Sequence, residues 1–177
     1  MLITSSRKPS GKTKILCKTL ALFFDCTYMT RGKMSLSEVL EEGRENIVLI
    51  VGEFHGNPGS LSFYDTAGTL YLSLHISETH PSEIRPEHIR KGLIGLVSDG
   101  AAVDGASGGG AAVGGVSGGE PSRASVLFGL FSETVFEGLV PKAEDCGRIL
   151  SISDDCLSFS VKGQTFMKLY VKGMKTY

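Results

Sequence analysis

Apolar residues in the first part of the chain follow first a strand pattern and then a helical one. Leu2 to Ser5 is short and partly β-branched, which predicts a β-strand. From Gly11 to Phe24, apolar residues recur at the spacing of one helical face, and Ser10 is suited to cap the helix that this spacing predicts. We expect its polar side to carry Lys12, Lys14 and Lys18.

The next segments predict two more strands and a short helix. Cys26 to Met29 is typical of a strand. Ser35 and Glu38 have the spacing of a capping box, which predicts a helix that ends near Gly43. The unbroken aliphatic run from Ile47 to Val51 predicts a strand that is buried on both faces.

A hairpin and a long region of low complexity follow. Residues 56–59 form a Gly/Asn/Pro cluster that predicts a turn, and residues 61–64 and 70–74 flank a second turn as a hairpin. Residues 93–97 predict another strand. Residues 99–122 consist almost entirely of Ala, Gly, Ser and Val, which predicts a flexible insertion without a core of its own.

The last part of the chain predicts a helix and a three-stranded meander. Apolar residues in 122–133 have helical spacing, and residues 148–153, 156–161 and 165–171 alternate between apolar and polar side chains. Strands that alternate with helices and then form hairpins indicate an α/β (α+β) fold with a mixed sheet covered by helices. We expect one domain over 1–177, with halves 1–98 and 123–177 separated by the insertion 99–122.

Composition excludes several protein classes. The chain has 177 residues, which is enough for one ordinary domain. It has no apolar run of the length that a membrane helix needs and no secretory signal pattern, so the expected location is cytoplasmic. The four cysteines include no C-x-x-C pair and the four histidines have no zinc-type spacing, so we expect reduced thiols, no metal and no cofactor.

Charge is distributed unevenly along the sequence. Residues 1–33 contain seven Lys or Arg and one acid, a net charge of +6. Residues 161–177 contain four Lys and no acid, a net charge of +4. Because the whole chain has a net charge of −1, residues 34–160 carry −11. If the fold brings the two ends together, the resulting positive face is typical of a protein that binds a polyanion.

One segment resembles part of a nucleotide-binding loop. Ser10-Gly11-Lys12-Thr13 follows a strand and opens a helix, as the end of a P-loop does. The first glycine of that motif is replaced by Ser6, and Pro9 removes a backbone amide. We therefore regard a nucleotide-dependent enzyme as the alternative hypothesis only. Free amides at the start of the helix still favour phosphate binding there.

Polar and basic residues follow three predicted strands and form the candidate site. If these strands are parallel, the loops after them lie at one edge of the sheet, where open α/β sheets bind ligands. Basic and hydroxyl groups suit an RNA backbone, and His55 or Phe54 could stack on a base. The candidate RNA-binding residues are Ser6, Arg7, Lys8, Lys12, Lys14, Arg31, Lys33, His55 and Asn57. No grouping of residues predicts a catalytic site.

Three segments in this region resemble the Brix-domain family of ribosome biogenesis proteins, in its short archaeal form. They are Leu-Ile-Thr-Ser-Ser-Arg-Lys-Pro-Ser at 2–10, Arg-Gly-Lys-Met-Ser-Leu at 31–36 and His-Gly-Asn-Pro-Gly at 55–59. The resemblance is specific over residues 1–75. It implies two halves, each similar to the anticodon-binding domain of class IIa aminoacyl-tRNA synthetases. It also implies a non-enzymatic role in rRNA processing and ribosomal subunit assembly.

The expected partner is rRNA or pre-rRNA. We expect the protein to be a monomer that does not associate with a membrane. Ribosomal or preribosomal proteins are further candidate partners. A third hypothesis makes the protein an interaction scaffold within a preribosomal particle, with RNA contact secondary. Salt-dependent binding of RNA by the isolated protein would distinguish the RNA-binding hypothesis from the scaffold.

Overall fold

Nine strands and three helices make up the regular structure of residues 1–79, 93–98, 122–132 and 146–177, which are the residues that the computed structural model describes. In chain order they are β1 (Leu2–Ser5), α1 (Gly11–Phe24), β2 (Thr27–Tyr28), α2 (Leu36–Glu42), β3 (Val48–Phe54), β4 (Asn57–Tyr64), β5 (Leu70–Thr79), β6 (Ile94–Ser98), α3 (Arg123–Leu130), β7 (Arg148–Ile152), β8 (Cys156–Val161) and β9 (Gln164–Thr176). All of the strands belong to one mixed sheet. The α+β fold with a mixed sheet is therefore confirmed.

The order of strands in the sheet is β2-β1-β3-β4-β5-β9-β8-β7-β6. At one end, β1 is parallel to β2 and β3, and β4 and β5 follow as antiparallel neighbours. At the other end, β6 is parallel to β7, and β8 and β9 again follow antiparallel. The two runs join through the antiparallel pair β5–β9. The pairing pattern of the first run is thus repeated in the second.

Helices α1 and α3 pack on the same face of the sheet. The apolar stripe of α1, which includes Leu16, Leu20 and Phe23, is fully buried against β1, β3 and β4, while α3 packs on β6 and β7. Phe23 contacts Phe159 edge-to-face at 5.0 Å between ring centroids. The two runs of strands therefore share one hydrophobic core.

Helix α2 covers the opposite face, near the β1–β3 end. Val39 is completely buried there with Leu2, Val48 and Ile50. Both faces of β3 are therefore covered, as its aliphatic run predicts, and residues 48–51 are all buried. The capping box is present, with the Ser35 side chain and Glu38 bonding each other's backbone amides.

A buried arginine connects the second run of strands to the end of α1. Arg148, at the start of β7, is only 3% exposed. Its guanidinium donates to the backbone oxygens of Phe23 and Leu22 in the last turn of α1. A cation at this position also interacts favourably with the helix dipole.

Some expectations from the sequence are wrong in detail. Asn57, Pro58 and Gly59 belong to strand β4, because the turn is only two residues long, at His55 and Gly56. Ile15 is one of the apolar residues whose spacing predicts α1, but it lies outside the buried stripe of the helix and is 56% exposed. Two predictions lie outside the described residues. They are the insertion at 99–122, apart from Ser122, and the end of the last predicted helix at residue 133. No helix in the described residues is long and apolar enough to cross a membrane.

Candidate nucleic-acid interface

The loops that follow β1 and β2 meet at one edge of the sheet, as the parallel pairing of β1 with both β2 and β3 requires. Arg7 comes from the first loop and Arg31 from the second. The Nε of Arg7 donates to the backbone oxygen of Met34 at 3.3 Å, and the Nε of Arg31 donates to the same oxygen at 3.1 Å. One carbonyl group therefore holds two guanidinium groups from different loops close together.

Further cations accompany this pair. Lys8 directly follows Arg7, and Lys33 lies two residues after Arg31, and both lysines are exposed. In the part of the chain that the structure describes, none of these four side chains forms an ion pair within 4 Å. We call Arg7, Lys8, Arg31 and Lys33 the basic edge. Glu38 interacts electrostatically with Arg7, which reduces the positive charge of the basic edge without an ion pair within 4 Å.

A carboxylate of the protein itself occupies the N-terminus of α1. The Oε1 atom of Glu53 accepts a hydrogen bond from the backbone amide of Ser10 at 2.7 Å and another from the hydroxyl of Thr13 at 2.5 Å. The Ser10 amide is therefore not free for a phosphate, contrary to the expectation from the sequence. Glu53 supplies the negative charge that the helix terminus favours.

The hydrogen bonds to Glu53 stabilise its ionised form. Burial alone would raise the pKa of this carboxyl group, but the bonds from Ser10 and Thr13 outweigh it. The pKa of Glu53 consequently lies below its ordinary value. The carboxylate holds the end of β3 against the start of α1 at neutral pH.

Lys12 joins this helix terminus to the β3–β4 hairpin. Its Nζ donates to the Oδ1 of Asn57 at 2.9 Å, and the Nδ2 of Asn57 donates to the backbone oxygen of His55 at 3.3 Å. Both ends of the Asn57 amide thus have partners within the protein. The arrangement connects an exposed lysine to the turn that presents His55.

The hairpin turn displays two aromatic rings. His55 and Gly56 have positive φ angles of 51° and 76°, as both central residues of a type I′ turn do. A bulge follows at Gly59, where a Cβ atom would lie 2.7 Å from the Cβ of Phe54, so only glycine fits. Phe54 is 70% exposed, and its ring lies edge-to-face with that of His55 at 4.2 Å between centroids.

A known protein matches the chain over its full length. A protein of Methanosarcina mazei named "Probable Brix domain-containing ribosomal biogenesis protein" is 32% identical over 178 residues, and the alignment covers all of both chains. This chain belongs to the Brix-domain family of ribosome biogenesis proteins. No protein-family model matches it.

Other comparisons agree with this assignment. A protein of the same name from Methanococcoides burtonii is 52% identical over 81 residues, which cover 46% of this chain and 52% of that protein, so this match spans about half the length of the relative. The crystal structure of Mil, described as an archaeal Imp4-like protein, has a TM-score of 0.68 at 22% identity, with full coverage of both chains. The structural likeness concerns the fold.

Within the Brix fold, two predicted contact residues stand apart from the basic edge. The hydroxyl oxygen of Ser6 is buried and has no hydrogen-bond partner in the described residues. Lys14 is exposed on the first turn of α1 and has no hydrogen bond to the loops in the same residues. RNA contact by Ser6 and Lys14 stays a prediction, and the proposal below rests on the other cations.

The four cysteines of this Brix-domain chain are free thiols in the structure. Cys17 is fully buried in the core, and burial raises the pKa of its thiol to about 12. Burial likewise raises the pKa of Cys26 to about 11. Both thiols are therefore protonated at neutral pH.

Sequence reasoning missed the residues that organise the site. Glu53 looks like a departure from a basic surface, although it fixes the first helix. The residues that donate hydrogen bonds to Glu53 are Ser10, which is the N-cap of α1, and Thr13, which lies in the first turn of that helix. Hydroxyl residues at these two positions are typical of a capped helix. No sequence pattern predicts that the carbonyl oxygen of Met34 accepts hydrogen bonds from Arg7 and Arg31, because any residue at this backbone position offers the same oxygen.

Proposed function

We propose that this chain binds rRNA or pre-rRNA through the basic edge, as a non-catalytic factor in rRNA processing and ribosomal subunit assembly. The observation that carries the proposal is the convergence of Arg7 and Arg31 on one backbone oxygen. It gathers cations from two loops into one surface without neutralising them. Arginine groups held in this way suit the oxygens of successive phosphates.

Lys12, Asn57 and His55 extend the proposed interface toward the hairpin. Lys12 can contact a phosphate while it remains within reach of Asn57. Since the Asn57 amide is bonded at both ends, its proposed role is to position His55 and Lys12. His55 offers an exposed ring at the tip of the turn.

The nucleotide-dependent enzyme is the less favoured function. A phosphate-binding loop needs the backbone amides at the start of its helix, and the Ser10 amide already donates to Glu53. Lys12 points to Asn57 with a 2.9 Å hydrogen bond. These contacts argue against nucleotide hydrolysis at this loop.

The proposed biological unit is a monomeric single Brix domain that acts in the cytoplasm, with ribosomal or preribosomal proteins as further partners. The sequence predicts halves 1–98 and 123–177 with the insertion 99–122 between them, but β6 pairs with β7 in the second run of strands, so we propose that the first half ends before Ile94. The repeated strand pairing supports two halves of common design. Their similarity to the anticodon-binding domain of class IIa aminoacyl-tRNA synthetases remains part of the proposal.

Binding of labelled rRNA fragments to matched double variants tests the function. Replacing Arg7 and Arg31 with alanine should weaken binding by roughly tenfold. The control replaces Arg44 and Arg123, which are exposed arginines away from the basic edge, and should change affinity little. Equal affinity of the folded Arg7/Arg31 variant and the control would refute RNA binding through this edge. If the protein binds a nucleotide and loses that binding in Lys12→Ala, the result would support the hypothesis of a nucleotide-dependent enzyme.

A further inference from the structure

A groove lies beside the β3–β4 hairpin on the sheet face opposite α1. It has a volume of about 690 Å³ and is open to solvent. Its lining includes Phe54, His55 and Asn57 from the hairpin, His75 and Ser77 from β5, and Lys172 from β9. The groove therefore brings the hairpin of the first run of strands next to the basic C-terminal strand.

Irregular strand pairing shapes this groove. His75 pairs with Gly173 and Ile76 pairs with Val171, so Lys172 is the extra residue of a bulge in β9. A bulge redirects side chains and twists the strand locally. The bulge at Gly59 does the same on the opposite wall, where Phe54 lies against the glycine. Both walls are consequently built by specific backbone features.

The chemistry of the walls combines aromatic faces with cationic groups. Phe54 is 70% exposed and paired edge-to-face with His55, an arrangement that covers one ring face and leaves others open for stacking. His75 and Lys172 are exposed on the other side. Glu53 also lines the groove, but its carboxylate is bonded to Ser10 and Thr13 at the start of α1.

A chain of contacts connects the groove to the rest of the proposed interface. Asn57 lines the groove and accepts the hydrogen bond from Lys12, which lies on the side of α1. An RNA strand whose phosphates follow the basic edge and Lys12 would reach the groove next. A base can enter there only if it is unstacked, because the groove is a local concavity and not a surface for a duplex.

We propose that this groove binds an unpaired nucleobase of single-stranded RNA, stacked on the ring face of Phe54 with His55 at the edge of the base and Lys172 at a neighbouring phosphate. The proposal rests on the proposed function, since the strand is delivered along the basic edge. It assigns an RNA-binding role to Lys172 and His75. Aromatic rings and cations without a free carboxylate favour a nucleotide over an acidic peptide, which offers charge but no base to stack.

Binding of a short single-stranded oligouridine to Phe54 variants tests the stacking. Phe54→Ala should weaken binding by roughly 5- to 150-fold, since one stacked base contributes about 1–3 kcal/mol. The slope of log affinity against log salt should stay unchanged, because no charge is removed. Phe54→Leu should also bind weakly, since leucine restores apolar volume without a ring. Phe54→Tyr should bind as the wild type does.

Tyr177→Ala is the matched control for an exposed aromatic residue. Tyr177 is 64% exposed and lies five residues beyond Lys172, roughly 17 Å along the strand. It should retain wild-type affinity. Lys172→Ala should reduce the magnitude of the salt slope by about 0.7, as loss of one phosphate contact does on a single strand.

A second measurement does not depend on affinity. Oligouridine that contains 4-thiouridine should crosslink to residues 54–55 of the wild-type protein upon irradiation, and not to Tyr177. Wild-type affinity of Phe54→Ala, or of Phe54→Leu, would overturn the stacking proposal. If the Arg7/Arg31 variant still loses binding in that case, the proposed function stands and only the groove assignment fails. If neither variant changes binding, both fail.

Discussion

The two ends of the sheet are built to the same design. The first edge consists of β1 and β3 with helix α1, and the second edge consists of β6 and β7 with helix α3. At each of them, two parallel strands lie beneath a helix. A carboxylate near the end of the second strand accepts a hydrogen bond from a backbone amide at the start of that helix. Glu53 bonds the amide of Ser10 at 2.7 Å, and Asp154 bonds the amide of Ala124 at 2.8 Å. Serine is the N-cap residue of both helices.

The two edges differ in charge. The first carries Arg7, Lys8, Arg31 and Lys33, whereas the described residues of the second carry Arg123 beside Asp154 and Asp155. Since the carboxylate caps occur at both edges, they serve the fold. Among the described residues, a cluster of four cations occurs only at the first edge, so the shared architecture does not require one. The comparison thus separates residues that build the Brix fold from those that we propose contact RNA.

The largest expected effect comes from the arginine that ties the two regions together. Arg148→Ala removes charged hydrogen bonds to the carbonyl groups of Leu22 and Phe23 and should lower the free energy of unfolding by about 1.5–3 kcal/mol. Urea unfolding measures the change. Arg123→Ala removes an exposed arginine and should change stability by less than about 0.5 kcal/mol. Similar stabilities of the two variants would show that the regions do not depend on this link.

The two carboxylate caps should contribute unequally to stability. Glu53→Ala leaves the Ser10 amide and the Thr13 hydroxyl without their acceptor and should lower the free energy of unfolding by about 1–2 kcal/mol. Asp154→Ala, at an exposed position, should lower it by about 0.5–1 kcal/mol. Thermal or urea unfolding of both variants makes the comparison. A larger loss for Asp154→Ala would contradict the importance assigned to Glu53.

The same pair of variants should separate the edges by RNA affinity. Glu53→Ala removes a negative charge next to the proposed interface and should raise affinity by roughly twofold. Asp154→Ala should leave affinity unchanged, because it lies at the other edge. Binding is measured at a temperature where both variants are folded. Equal gains in affinity would mean that RNA responds to net charge and not to the basic edge.

A smaller effect concerns pH. Because the pKa of Glu53 is depressed in the folded protein, its stabilising contribution is present above the ordinary pKa of glutamate and is lost as pH falls through the depressed value. The stability difference between the wild type and Glu53→Gln should therefore be about 1 kcal/mol or less at neutral pH, since the group is only partly buried, and should shrink in acid. A difference that stays constant with pH would contradict this linkage.

Local patterns in the sequence predicted the elements near the interface well. The helical spacing gave α1 its observed bounds, and the aliphatic run predicted a strand covered on both faces. The turn between β3 and β4 lies earlier than the cluster at residues 56–59 predicts. The bulge at Gly59 allows Pro58 to belong to a strand, although proline in such a cluster usually indicates a turn. Pro58 could not have signalled this alone, since bulges depend on the partner strand.

Non-local contacts were beyond sequence reasoning. The pairing of β5 with β9 joins residues about a hundred positions apart, and no periodicity specifies which strands become neighbours. The burial of Arg148 and the placement of Lys172 in the same groove as His55 both follow from that pairing. The positive charge of the two chain ends could be counted from the sequence, but the connection of Lys12 through Asn57 to the groove that Lys172 lines required the fold.

The salt dependence of rRNA binding tests the central claim most directly. The affinity of the wild type and of the variant with Arg7, Lys8, Arg31 and Lys33 all changed to alanine is measured for a single-stranded rRNA fragment across a range of salt concentrations. If each side chain neutralises one phosphate, the magnitude of the slope of log affinity against log salt should be smaller by roughly 3 in the variant. A folded variant with wild-type slope and affinity would contradict the account.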